Sequence, residues 1–140
     1  MRLIGRGEPS DVTFEVDTDL STSQWTFVKP VDGEAGGPQA RLTQCGAGDS
    51  GWILQNSPGG GRDVAYNVPH LGGRIRRSGF SKLKVDGSET AIAVGDKLKP
   101  NEDGLGVKAT SGQYSAIAYE ASDAEGDIIE VLVEHGSVPA

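Results

Sequence analysis

Gly126-Asp-Ile-Ile-Glu-Val-Leu-Val-Glu134 decides the fold of this chain. Read with a period of two, Ile129, Val131 and Val133 fall on one side of an extended backbone, and Ile128, Glu130, Leu132 and Glu134 on the other. A strand with apolar residues on both faces is central in its sheet or covered by a neighbour, so the stretch from Asp127 to His135 is read as an interior strand. Working outward, Tyr114 to Glu120 and Leu105 to Thr110 are also strand length, with Asn101-Glu-Asp-Gly104 and Ser111-Gly112 as the turns between them.

The same grammar runs upstream. Val12, Phe14 and Val16 alternate with Thr13 and Glu15, the pattern of a half-buried strand. Trp25-Thr-Phe-Val-Lys29 begins a second strand, ended by Pro30 and the Asp32-Gly33 turn signal. Glycine-rich loops precede strands at Ala40 to Gln44 and Trp52 to Asn56, and Pro58-Gly-Gly-Gly61 separates these from a strand over Asp63 to Val68. After Leu71-Gly-Gly73 a basic segment leads into strands at Phe80 to Val85 and Thr90 to Val94. The only stretch with modest helical propensity, Glu120 to Glu125, is too short for more than one turn.

Turn signals at intervals of about eight to twelve residues predict an all-β fold, a small antiparallel barrel or sandwich with long Gly-rich loops. Residues 1–10 hold two glycines and a proline with no sustained period, and read as an N-terminal arm ordered by a partner through Leu3 and Ile4. Residues 11–140 read as a single β domain, because a chain of 140 residues buries roughly two-thirds of its unfolded surface and supports one core. With 36% apolar residues and 21 glycines, that core is expected to be thin.

The net charge of −7 argues against nucleic acid as a partner, since phosphate binding needs clustered Lys and Arg. The charge is nonetheless uneven. Arg74, Arg76, Arg77, Lys82 and Lys84 fall close together, whereas Glu120, Asp123, Glu125, Asp127, Glu130 and Glu134 form a stretch with no base. Arg74, Arg76 and Arg77 on one side, and Glu120, Asp123 and Glu125 on the other, are therefore candidate interface residues toward a partner or a neighbouring subunit, alongside the reading of two separately solvated faces. Cys45 is alone and cannot form an intrachain disulfide. No apolar run has signal-peptide or bilayer-crossing length, so synthesis in a cytoplasm and no membrane partner are the expectation.

Catalytic groupings are not recognisable, and no enzyme is expected. Neither His70 nor His135 lies in a nucleophile motif, and Gly-x-Ser-x-Gly is missing. Asp123, Glu125 and Asp127 resemble a carboxylate cluster, but Gly126 comes too early for an EF-hand loop. One Cys and two separated His leave no closed zinc site, and Pro58-Gly-Gly-Gly-Arg62 lacks the Lys and Ser or Thr of a phosphate loop. No metal and no cofactor are expected. Trp25, Trp52, Tyr66, Tyr114 and Tyr119 read as packing residues before they read as a sugar platform.

Several phrases, in order, resemble one family. They are Asp19-Leu-Ser-Thr-Ser-Gln-Trp-Thr-Phe-Val-Lys29, Gly51-Trp-Ile-Leu-Gln-Asn-Ser-Pro58, Gly79-Phe-Ser-Lys-Leu-Lys-Val85, Val94-Gly-Asp-Lys-Leu98, Gly104-Leu-Gly-Val107, Ile117-Ala-Tyr-Glu-Ala121 and Gly126-Asp-Ile-Ile-Glu-Val-Leu-Val133. The series is similar to the decoration, or capsid cement, proteins of tailed bacteriophages. Val68 to Arg77 is longer and more basic than that pattern, and the first ten residues lie outside it. The resemblance implies a β protein on the outer capsid surface of a virion. There it would bind the major capsid protein, often as a homotrimer, and hold neighbouring subunits together. The alternative from another class is a soluble β-barrel module that binds a small molecule or glycan, which would show exposed aromatics around one concave site.

Overall fold

The computed structural model describes residues 10–16, 20–32, 40–56, 62–63, 68–69 and 72–139. Leu3, Ile4 and the rest of the expected arm before Ser10 lie outside the described residues. Strands follow one another as β1 (Ser10–Val16), β2 (Phe27–Asp32), β3 (Ala40–Gln44), β4 (Trp52–Leu54), β5 (Arg62–Asp63) and β6 (Val68–Pro69). They continue as β7 (Gly73–Asp86), β8 (Lys97–Pro100), β9 (Gly106–Lys108), β10 (Gly112–Ala118) and β11 (Glu125–Val138). The fold is all-β, and the described residues contain no helix.

Hydrogen-bonded neighbours run β1-β3-β2-β4-β7-β11-β10-β8-β9, and β1–β7 and β7–β9 pairings join back onto the same long strand. Two five-stranded rings therefore share β7. The first half of β7 carries β1, from Ser78 opposite Ser10 to Gly73 opposite Phe14, and β4, through Arg76 opposite Ile53. Its second half carries β11, from Gly79 opposite Val133 to Asp86 opposite Glu125, and touches β9 at Val85 opposite Gly106. The change of partner from β1 to β11 falls between Ser78 and Gly79, and Gly79 has φ 90°. Glycine accepts this conformation without the Cβ clash other residues would meet. β1–β3 and β7–β9 are parallel and the other pairings antiparallel; β5 and β6 form a separate two-stranded ribbon.

Each ring has a core, and alternate residues of the same strands feed both. Val28, Leu42, Leu54 and Ile75 pack with Val16 and Leu20 in one cluster. Phe27 and Ile53, next to Val28 and Leu54 in sequence, pack instead with Cys45, Leu83, Val85, Leu98, Ile129, Val131 and Val133 in the other. Side chains of a strand point alternately to opposite faces, so β2 and β4 act as a wall with one core on each side. This arrangement explains how a chain with so few apolar residues buries Phe27, Val28, Ile53 and Leu54 completely.

The expected strands are modified where local chemistry overrides the pattern. β11 is interior, between β7 and β10, as its two apolar faces require. Pro30 does not end β2. Phe27 O accepts the Cys45 N–H, which turns the backbone groups of residues 27, 29 and 31 toward β3; Pro30 thus faces the other edge, where β4 pairs only Phe27 and Val28 and no N–H is needed. Trp25 lies before β2, with φ 68°. Of the expected strand over Asp63 to Val68, residues 64–67 lie outside the described residues, and its two ends belong to the short strands β5 and β6, which pair Asp63 with Val68. The basic segment belongs to β7 rather than to a connection.

Thr90 to Val94 forms only a bridge of Ile92 to Ser122, because Asp96 accepts the Ala93 N–H at 2.8 Å and Gly95, at φ 93°, turns the chain away. Lys97–Pro100, not read as a strand, pairs with both β9 and β10. The short helical stretch from Glu120 is absent, since Ser122 is held by that bridge.

Candidate functional site

The side of β7 opposite the core carries Phe80, Lys82 and Lys84, which alternate with the buried Ser81, Leu83 and Val85. Register sets these residues beside those of β11 and β10. Phe80, Leu132 and Ile117 form one row across the three strands, and Lys84 stands beside Ile128. Between them lies a row of Lys82, Glu130 and Tyr119, the last joined through its N–H to Glu130 O at 2.9 Å. The Phe80 and Tyr119 rings meet edge to face with centroids 5.0 Å apart. Because they come from opposite sides of β11, they cover Leu132, which is only 5% exposed. Phe80 (36%), Tyr119 (46%) and Ile128 (47%) remain open to solvent, so this face concentrates three of the four exposed large apolar side chains among the described residues.

Trp25 extends the face into a groove shared with Lys82, Glu120, Ile128 and Glu130. Its left-handed backbone, unfavourable for a bulky residue, is held by two strands at once. The Trp25 N–H donates to Leu54 O at 2.8 Å, and Trp25 O accepts the Lys84 N–H at 2.7 Å. Glu120 is fixed as well, since its Oε1 accepts the Glu130 N–H at 2.8 Å.

The interface residues expected from sequence are distributed differently. Arg76 and Arg74 engage Asp11 of the same chain, at 2.8 Å and 3.5 Å from Nε. Arg76 also donates from one terminal nitrogen to Phe80 O at 2.8 Å. The Arg76 hydrogen bond is the main cause that holds the Asp11 carboxyl below its ordinary pKa; burial opposes it, and the two guanidinium charges assist. Arg77 is exposed on β7. Glu120 belongs to the groove, while Asp123 is exposed in the turn before β11 and Glu125 stands opposite Asp86. The basic and acidic stretches thus neighbour each other as adjacent strands of one sheet, with Lys82 opposite Glu130.

No group of three metal-ligating side chains that could hold an ion occurs among the described residues. His135 Nε2 lies 2.6 Å from Gly51 O, which can only accept, so that nitrogen carries the proton. His70 and Tyr66 lie outside the described residues. An open depression lined by Asp86, Glu89, Asn101, Glu102 and Lys108 has no aromatic ring among its described lining. Trp52 stacks against Phe14 with centroids 6.4 Å apart, and Lys97 Nζ sits 5.3 Å over the Tyr114 ring.

Phe80, Ile128 and Lys82 were not singled out by the sequence as a site. Their signal is the parity of Phe80-Ser-Lys-Leu-Lys-Val85, which sets Phe80 on the lysine side of its strand. Trp25 carried no such signal, because it joins the groove through a non-helical, non-strand backbone. No family model and no curated protein matches the chain.

Proposed function

We propose that this chain is a structural virion protein of a tailed bacteriophage that binds the outer surface of the capsid and stabilises it by bridging major capsid protein subunits, as a homotrimer seated on the shell. The observation that carries this reading is the exposed Phe80, Tyr119 and Ile128 face on a sheet whose other side is a closed core. A rigid apolar face favours docking on another protein, because its residues lose little conformational freedom on binding. The ordered series of phrases that resembles cement proteins supplies the choice of partner.

The mechanism is linkage. A protein that binds only the assembled lattice shifts the equilibrium toward that lattice, by an amount set by its concentration relative to its dissociation constant. Apolar area removed from water contributes roughly 25 cal/mol per Å² before the costs of association. No bond is made or broken in this role.

The test is co-sedimentation of the purified chain with shells of the parent phage that lack it, followed by thermal disruption of the decorated shells. Saturable binding and a higher disruption temperature are expected. The triple variant Phe80→Thr, Tyr119→Thr, Ile128→Thr keeps strand propensity and is expected to abolish decoration while remaining folded. Absence of binding by the parental chain, or full binding by a folded triple variant, overturns the proposal.

A further inference from the structure

From the Trp25 groove we infer a binding site for an extended polypeptide segment of a partner protein that presents an arginine or lysine beside an apolar residue. The inference rests on the reading of the surrounding face as a docking surface and names the chemistry recognised there.

Three features of the groove converge on this ligand. Its apolar lining is the half-buried Trp25, the exposed Ile128 and the buried Ile129. Its rim holds two carboxylates, Glu120 and Glu130, against one amine, Lys82, in a chain whose net charge is −7. Trp25 is held in its left-handed conformation by hydrogen bonds to β4 and β7, so the backbone that carries the indole is fixed before any ligand arrives. Strained residues of this kind persist where the surrounding structure fixes them, and they cluster at ligand clamps.

A long cationic side chain suits all three. Its methylene stem lies on indole and isoleucine, and its charged head reaches the rim carboxylates. Guanidinium is favoured over ammonium, since its planar fork can stack on Trp25 and donate to a carboxylate at once. Glu120 is already oriented by the Glu130 N–H on one oxygen, which leaves the other for the ligand.

The experiment is a titration of the full chain with the peptide acetyl-Leu-Arg-Leu-amide, read by the Trp25 indole and Ile128 methyl resonances, in the absence of any shell. Saturable shifts at both residues are expected, with little response to the peptide in which Glu replaces Arg. In the double variant Glu120→Gln, Glu130→Gln, affinity is expected to fall roughly tenfold, as for lost charge-assisted hydrogen bonds. The Glu120→Gln change keeps a side-chain carbonyl for the Glu130 backbone N–H, so the sheet stays intact. No saturable shift, equal response to the Glu peptide, or unchanged affinity in the double variant overturns the inference. A rise in peptide affinity when residues 1–9 are removed also overturns it, because the groove would then belong to that segment of this chain, which carries Arg2 and Arg6. Peptide binding without shell binding would count against the proposed function alone, and shell binding without peptide binding against this inference alone.

Discussion

Arg76 and Asp11 stand opposite each other across β7 and β1, and the guanidinium reaches both carboxylate oxygens, from Nε at 2.8 Å and from a terminal nitrogen at 3.1 Å. The pair ties the beginning of β1 to the strand shared by both rings. Arginines that read in the sequence as a surface for another molecule are thereby partly occupied in holding the subunit together. Replacing Arg74, Arg76 and Arg77 together by Glu would leave Asp11 facing carboxylates, so the isolated subunit is expected to melt at lower temperature.

The same pair sets a pH dependence. Asp11 has a depressed folded-state pKa, mainly through the Arg76 hydrogen bond. Its contribution is full above the unfolded carboxylate value of about 4 and is lost as pH falls through the lower folded value. Both side chains are partly exposed, so the contribution is about 0.5–1 kcal/mol. Urea melts of the parental chain and of Asp11→Asn should differ by that amount at pH 6 and converge toward pH 2. A constant difference across this range would remove the ion pair from the account.

Ile53 and Leu54 probe the two cores separately. Ile53 is in the cluster of the second ring and Leu54 in that of the first, and both are fully buried. Truncation of either to Ala is expected to cost about 2–5 kcal/mol. Because β4 and β7 contribute to both cores, each variant should unfold in one transition by circular dichroism and tryptophan fluorescence. Two separated transitions in Leu54→Ala would mean that the rings fold independently.

Gly51 is confined by its neighbours. A Cβ there would lie 2.5 Å from Cys45 Sγ and 2.6 Å from Val28 O, while the backbone of Gly51 donates to Ser115 Oγ and accepts from His135. Gly51→Ala is expected to destabilise by about 3 kcal/mol. Gly48, with φ 76° and open space around its Cβ position, meets only the backbone cost, about 1 kcal/mol for Ala. Equal denaturation midpoints for the two variants would contradict the packing argument.

Cys45 should be chemically silent in the folded protein. Its thiol is buried, and burial above all, with Asp49 adding and Lys29 opposing, pushes its pKa up to about 12. Thiolate is the reactive form, so disulfide-exchange reagents are expected to label Cys45 at the rate of unfolding and rapidly in denaturant. Fast labelling under native conditions would show that the loop from Cys45 to Gly51 opens locally.

What the sequence determined by itself is the alternation. The period of two at Val12 to Val16 and Ile128 to Val133, with turn residues between such runs, required strands, and the apolar residues on both sides of the last run pointed to its central place between β7 and β10. Neighbours in space decided the rest. That β7 serves two rings, that Phe27 and Val28 face different cores, and that Arg76 meets Asp11 are contacts between segments far apart in the chain, which local periodicity does not encode. The groove belongs to this second kind. Trp25 is set against Ile128, Lys82, Glu120 and Glu130 only because the carbonyl of Leu54 and the amide of Lys84 capture its backbone in a conformation that its own side chain disfavours.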